Sequence, residues 1–306
     1  MSRKKRKTGK DIHGILLFDK PYLLSSNKAL QQVKRVFNAN KAGHTGSLDP
    51  LATGCLALCF GEATKVSAYL LDANKTYHVS MSLGSMTTTG DVEGEVISNK
   101  PIPLLDDEVI NQLFKQFEGE SQQIPPMYSA LKVDGQRLYK LARQGVEVER
   151  KPRSINIFNL HLIEFNEQEI TFIVECSKGT YVRTLVEDMG NKLGCGAFVK
   201  HLRRTSLGPF VDEKLYSFDD LNSTKDTNLM LSSLLLPIDS VLLHLPRVNL
   251  NDTSTYYLKQ GQAVTASNLP DDGLLRLYDE KNNFIGIGSV TVDGQVTPKK
   301  LMNYSD

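Results

Sequence analysis

"SINIFNLHLIEFNEQEITFIVECSKGTYVRTLVEDMGNKLG", residues 154–194, decides the fold class. Two β-rich runs, "SINIFNLHLIEF" and "EITFIVECS", follow one another with no helix between them. The apolar spacing then switches to a helical period through Val182, Leu185, Val186, Met189 and Leu193. A doubly wound sheet would place a helix between successive strands. This stretch instead predicts an α+β domain with a mixed, largely antiparallel sheet flanked by helices.

The segments on either side carry compatible signals. In "KTYHVSMSL" (75–83), Tyr77, Val79, Met81 and Leu83 face one side and polar residues the other, which is a strand. "HGILLFDKP" (13–21) is a buried strand ended by a proline, and "SSNKALQQVKRVFN" a helix capped by Ser25 or Ser26. "GEATKVSAYLL" reads as a short helix, and "DDEVINQLFKQF" (106–117) as an amphipathic helix starting at Asp106. Pro125-Pro126 blocks regular structure ahead of a short basic helix that stops at Gly145. After Pro237 and Pro246 the texture changes to short strands, with a turn at Lys281–Asn283 and a hairpin signal at Asp293-Gly294. The expected organisation is a flexible basic tail over 1–12, a main domain over 13–246 and a small β-rich domain over 247–306.

Composition sets the setting. The chain has 306 residues, 40% of them apolar and 23% charged, with no apolar run long enough to span a membrane and no export signal. Cys55, Cys59, Cys176 and Cys195 have no disulfide-framework spacing, so reduced thiols and a cytoplasmic location are expected. Net charge is only +1, but its distribution is uneven. Residues 3–7 are all cationic, residues 132–153 hold seven Lys/Arg against three acids, and Lys200, Arg203 and Arg204 form a third cluster. Such segregation builds a basic face for a polyanion on a nearly neutral molecule.

"GHTGSLDPLATG" (43–54) is the chemically unusual segment. Gly43, Gly46 and Gly54 free the backbone and Pro50 fixes it, so the stretch reads as a shaped loop holding His44 and Asp49. A hydrolytic glycosidase positions two carboxylates, whereas this loop offers one. The six histidines are scattered, and Cys55 and Cys59, spaced to share a helical face, lack the pairing of a zinc site. Arg183 sits in the first turn of its helix, where a cation is disfavoured. Glu187 is its local partner; Asp49 is the distant one, whose carboxylate the guanidinium would hold as an anion by lowering its pKa. Tyr77 and Tyr181 offer flat faces on which a base could stack.

Five segments, "KAGHTGSLDPLATGCLALCFGEATK", "KTYHVSMSLG", "QIPPMYSALKVDGQRLYKLARQG", "CSKGTYVRTLVEDMGNKLGCGA" and "HLRRTSLGPF", resemble the TruB family of tRNA pseudouridine synthases, bacterial type, in that family's order. The resemblance covers roughly residues 13–245, and the tail is similar to the family's β-barrel-like PUA-type RNA-binding domain. It implies isomerisation of the uridine at position 55 in the T loop of tRNA, with no metal or other cofactor and no obligatory protein partner. On the same ground Asp49 acts at the sugar, and Tyr77 stacks on the base and takes a late proton. Arg183 pairs with Asp49, Tyr181 and Leu202 line the base pocket, and His44 fills the place of the everted uridine. Lys20, Lys65 and the 132–153 segment are expected phosphate contacts.

The sequence departs from the family pattern at Thr88 in "MTTTGD", where an acid that helps hold the arginine is usual. Either Asp91 substitutes for it or turnover is slower. "DKPYLLSS" lacks the usual glycine after its lysine-proline pair, and Cys55 and Cys59 stand where aliphatic residues are ordinary. Two other readings follow the same residues: a synthase directed by a guide RNA, and an RNA-folding protein with dispensable catalysis, which Thr88 alone supports.

Overall fold

The computed structural model describes residues 9–133, 135–226 and 230–304, so the cationic run at 3–7 lies outside the described residues. Residues 9–12, expected within a flexible tail, are tied to the body where described. Gly9 N donates to Asn40 Oδ1 (2.9 Å) and Lys10 N to Asn38 O (2.6 Å).

An eight-stranded mixed sheet forms the centre. Its strands lie in the order Gly14–Lys20, Thr53–Phe60, Ala197–Leu207, Lys75–Leu83, Glu169–Cys176, Arg153–Phe165 and Gly119–Gln123. Ala42–Thr45 adds to Thr53–Phe60 off this path. Pairing is antiparallel throughout except where Arg203 and Arg204 run parallel to Thr53 and Gly54. The adjacent runs of the opening stretch form an antiparallel hairpin, with Leu160 opposite Val174. The expected mixed, largely antiparallel α+β sheet is what the chain builds.

Alternation sorts side chains to two cores. Leu16, Phe18, Leu56, Leu58, Phe60, Tyr77, Val79 and Met81 join one, together with apolar residues of the helices Ser26–Val36, Asp107–Phe117 and Val182–Leu193. Ile15, Leu17, Cys55, Ala57 and Cys59 join the other. Cys55 and Cys59 therefore share a strand face, not a helical one. Ser25 Oγ accepts from Lys28 N (3.3 Å) and Asp106 Oδ1 from Val109 N (2.8 Å), capping two helices as expected. The single helix expected over 61–71 divides into a 3₁₀ turn at Gly61–Lys65 and a helix at Ser67–Asp72. At the break Thr64 and Ser67 hydroxyls donate to the carbonyls of Gly61 and Thr64, competing with a continuous helix.

The C-terminal strands Arg247–Asn249, Leu274–Tyr278, Phe284–Val290 and Val296–Leu301 form a second sheet in that order. Among the described residues its two end strands do not pair, so the barrel-like closure expected here is an open sheet. The edge strand is only three residues long, and Leu258 of the Asp252–Lys259 helix covers the core instead. Tyr278, Phe284, Ile287 and Met302 of this unit complete the second core of the large sheet. A polar clamp reinforces the contact: Lys65 Nζ donates to Leu301 O (2.6 Å), Lys300 Nζ to Lys65 O (3.0 Å) and Asn303 N to Glu62 Oε2 (2.7 Å). Among the described residues no helix is long and apolar enough to cross a membrane.

Candidate active site

The Thr53–Phe60 strand changes neighbours along its length: Ala57–Phe60 pairs with Ala42–Thr45, whereas Thr53 and Gly54 meet Arg203 and Arg204. Residues 46–52 leave the sheet at this switch. The loop expected over 43–54 is thus shorter, because both of its ends are strand and His44 is a strand residue opposite Leu58. Gly46 (φ +66°) and Gly54 (φ +94°) do need a glycine conformation, and a Cβ on Gly54 would sit 2.2 Å from Arg204 O.

Buried side chains fix this loop from beneath. Leu48, Leu51 and Ala52 are buried. Ser26 Oγ accepts from Leu48 N (2.8 Å) and donates to Leu48 O (3.0 Å). Lys20 Nζ donates to Pro21 O (2.8 Å), Leu24 O (2.6 Å) and Pro50 O (3.2 Å), and Arg204 Nη2 to Gly46 O (3.0 Å). Lys20 is 0% exposed, with its ammonium pKa lowered to about 8 by burial. This corrects the expectation of a phosphate contact: three carbonyls occupy a charge that never reaches the surface. Lys65 keeps 29% of its side chain exposed, and Leu301 O and Glu62 (Nζ to Oε2, 2.5 Å) engage its ammonium.

On this platform Asp49 Oδ2 meets Arg183 Nε at 2.9 Å. Arg183 Nη1 lies 3.6 Å from Asp91 Oδ2 and donates to Thr89 O (2.8 Å), while Nη2 donates to Tyr128 O (2.7 Å). Asp91 is itself held, its Oδ1 accepting from Thr89 Oγ1 (2.5 Å) and Glu93 N (3.1 Å). The acid missing at Thr88 is therefore supplied three residues later, and among the described residues the ion pairs of Arg183 are with Asp49 and Asp91, not Glu187. Thr88 Oγ1 accepts from Glu95 N (3.1 Å) in the adjoining turn.

Asp49 keeps 41% of its side-chain surface open, enough to meet a substrate, whereas Arg183 keeps 5%. The opening is a recess deep among protein atoms, and this desolvation pushes the Asp49 carboxyl above the ordinary aspartate value. Arg183 opposes the rise without reversing it. The expectation of a net lowering by the guanidinium is thus corrected, because the expectation omitted the burial.

The strand Lys75–Leu83 places Tyr77 within the electrostatic reach of Asp49, and burial raises its phenol pKa. Leu202 lies opposite Val79 on the next strand. Tyr77 is 8% and Leu202 7% exposed, so the stacking face expected of Tyr77 is largely covered in this conformation. Tyr181 caps the helix that carries Arg183; its N donates to Gln123 Oε1 (2.8 Å) and its O accepts from Gln123 Nε2 (3.1 Å). His44 Nδ1 is buried without a partner among the described residues, and burial with Arg204 and Arg137 nearby lowers its pKa, keeping the ring neutral.

The basic cluster at 200–204 does not form a free cationic face. Arg203 pairs with Asp19 through both carboxylate oxygens (2.9 and 2.8 Å), Lys200 pairs with Glu169, and Arg204 is 1% exposed. Lys132, Arg137 and Lys140 do gather around one recess with Gln136 and Gln144. Among the described residues no three His, Cys, Asp or Glu side chains converge as a metal site would require. Sequence reasoning overlooked Ser26 and Arg204 as supports of the loop, since both read as ordinary cap and surface residues.

The fold has close relatives among solved structures. A chain in the crystal structure of a Cbf5-Nop10-Gar1 complex aligns with a TM-score of 0.72 at 25% identity, covering 95% of this chain and 85% of that one. A chain of an H/ACA RNP bound to a substrate RNA containing 2'-deoxyuridine shares the fold at TM-score 0.72 and 22% identity, covering 100% and 93%. Residues 34–182 match the N-terminal domain of TruB family pseudouridylate synthases, 183–243 the C-terminal domain of tRNA pseudouridylate synthase B, and 246–302 the C-terminal region of pseudouridine synthase II TruB. Proteins named tRNA pseudouridine synthase B from Nitrosococcus oceani and Stutzerimonas stutzeri are both 50% identical, over 99% and 97% of this chain and 98% of each relative. The chain belongs to the TruB family of pseudouridine synthases.

Proposed function

We propose that this protein converts uridine to pseudouridine at position 55 in the T loop of tRNA, with Asp49 as the group acting at the sugar. The observation that carries the reading is the Asp49–Arg183–Asp91 arrangement: one accessible carboxylate, clamped from behind by a buried guanidinium that a second acid holds. Isomerisation needs no second carboxylate of the glycosidase kind, because the C–N bond that breaks is replaced by a C–C bond and no water is consumed. Names of full-length relatives support tRNA as the substrate.

The uridine must leave the T loop to reach the recess, at a cost of about a few kcal/mol. A neutral His44 ring at the loop's edge suits filling the vacated stack. Tyr77, Tyr181 and Leu202 frame the base once the cover over Tyr77 opens, and Tyr77 accepts the proton that C5 must lose. The cations Lys132, Arg137 and Lys140 suit the phosphate backbone of the T arm. Residues 13–246 act as the catalytic domain and 247–306 as an added RNA-binding unit. No guide RNA or protein partner is part of this scheme. Four free, buried cysteines fit a cytoplasmic setting.

The test is incubation with unmodified tRNA and mapping of pseudouridine at single-nucleotide resolution. Product at position 55 is expected in tRNA and in an isolated T-arm stem-loop. Product elsewhere, or binding without product, would contradict the proposal.

A further inference from the structure

Arg204 is the largest fully buried side chain among the described residues, 1% exposed. Its Nε donates to Cys55 O (2.7 Å) and its Nη2 to Gly46 O (3.0 Å), so it grips both the strand behind the acid loop and the loop itself. In the sheet it lies directly opposite Tyr77 on the neighbouring strand, and its charge favours the Tyr77 phenolate. Among the described residues no carboxylate pairs with it. The cationic groups it acts on are Lys20, Lys75 and His44, each of whose protonated forms it disfavours. A guanidinium buried without a counter-anion is costly to keep, and such sites are where function is sought.

We propose that Arg204 is a positioning residue for Tyr77: paired with Tyr77 across the strands and bonded to the acid loop, it holds the two elements in register and supplies the counter-charge for the phenolate. This rests on the reading above in which Tyr77 receives the C5 proton. Once C5 has bonded to C1′, the ring carries a hydrogen at C5 and an N1=C6 double bond. The phenolate takes that proton, the C–H pair becomes the C5=C6 bond, the N1=C6 π pair moves to N1, and water protonates N1. The phenol returns its proton to solvent. Burial is the largest influence against the anion and keeps the phenol pKa above its ordinary value, and Cys176 and Asp49 act the same way. Arg204 is the group that opposes all three.

The experiment uses full-length protein labelled with 13Cζ-tyrosine, the Tyr77 resonance being the one missing in Tyr77→Phe. In Arg204→Gln that resonance should titrate higher than in wild type by about one pH unit or more. Turnover should fall about 10- to 100-fold and become sensitive to deuterium at C5 of the target uridine, with tRNA affinity unchanged. Unchanged Tyr77 titration overturns the proposal, as does a slower reaction with no new isotope effect. Should Arg204→Gln fail to fold, Arg204→Lys decides. Its single ammonium cannot replace the two bonds to Cys55 O and Gly46 O that hold the charge beside Tyr77, so the Tyr77 titration should move and the isotope effect appear, and wild-type behaviour in both would overturn the proposal. A Tyr77→Phe enzyme with wild-type turnover and no isotope effect would instead remove the proton-acceptor reading, leaving the Arg204–Tyr77 link to stand or fall on the titration.

Discussion

Asp49 sits between two opposed effects: the recess favours its protonated form and Arg183 its anion, and the recess prevails. Activity requires the carboxylate, so it should be lost as pH falls through a pKa already above the ordinary aspartate value. Arg183→Met removes the lowering influence, and the acid limb of the kcat profile should move to higher pH by about one unit or more. An unmoved limb would mean that Asp49 is not the titrating group. At the same scale Asp91 and Thr88 separate cleanly. Asp91→Asn should cut kcat by about tenfold or more, since it leaves the buried guanidinium short of one partner. Thr88→Asp should leave kcat within about twofold, because the place it would fill is taken. Steady-state assays of the two variants check this, and a rate gain in Thr88→Asp would reverse the assignment.

At the scale of elements, the acid loop depends on three buried hooks from different places in the chain: Lys20 at a strand end, Ser26 at the start of a helix and Arg204 in the middle of the sheet. Ser26→Ala breaks two hydrogen bonds to Leu48 and should cost about 1–3 kcal/mol of stability. Because it loosens the loop and not the RNA surface, kcat should fall while tRNA affinity holds; weaker binding at unchanged kcat would argue against the hook. Much of this was legible in the sequence for local reasons. Alternation in 75–83 marks Tyr77 as inward, and Ser25 and Asp106 announce their helices. The four-residue strand around His44 was hidden, since Gly43 lies within it and Gly46 follows it, and both read as loop. Lys20 and Arg204 were misplaced because a cation's burial depends on carbonyls brought from elsewhere. Asp49 as the partner of Arg183 was legible, whereas the choice between Asp91 and no second acid was left open, because the path of the turn between them depends on the fold.

Across the whole molecule, net charge says little and its placement much. Among the described residues, the cationic segment within 132–153 keeps cations around an open recess, with Lys132, Arg137 and Lys140 together. Replacing each of these by Gln should reduce the slope of log affinity against log salt by about 0.7–0.9. Lys20→Met should not change that slope, because its ammonium is buried. Equal slopes for Arg137→Gln and wild type would move the RNA path elsewhere. The C-terminal sheet, clamped through Lys65 and Glu62, extends the same body beside the large sheet. The most direct test of the account compares wild type with Asp49→Asn on unmodified tRNA, scored for pseudouridine at position 55 and for binding. Full conversion by wild type, no product from the variant and tRNA affinity retained within about threefold are expected. Comparable product from both proteins would contradict the central role given to this carboxylate.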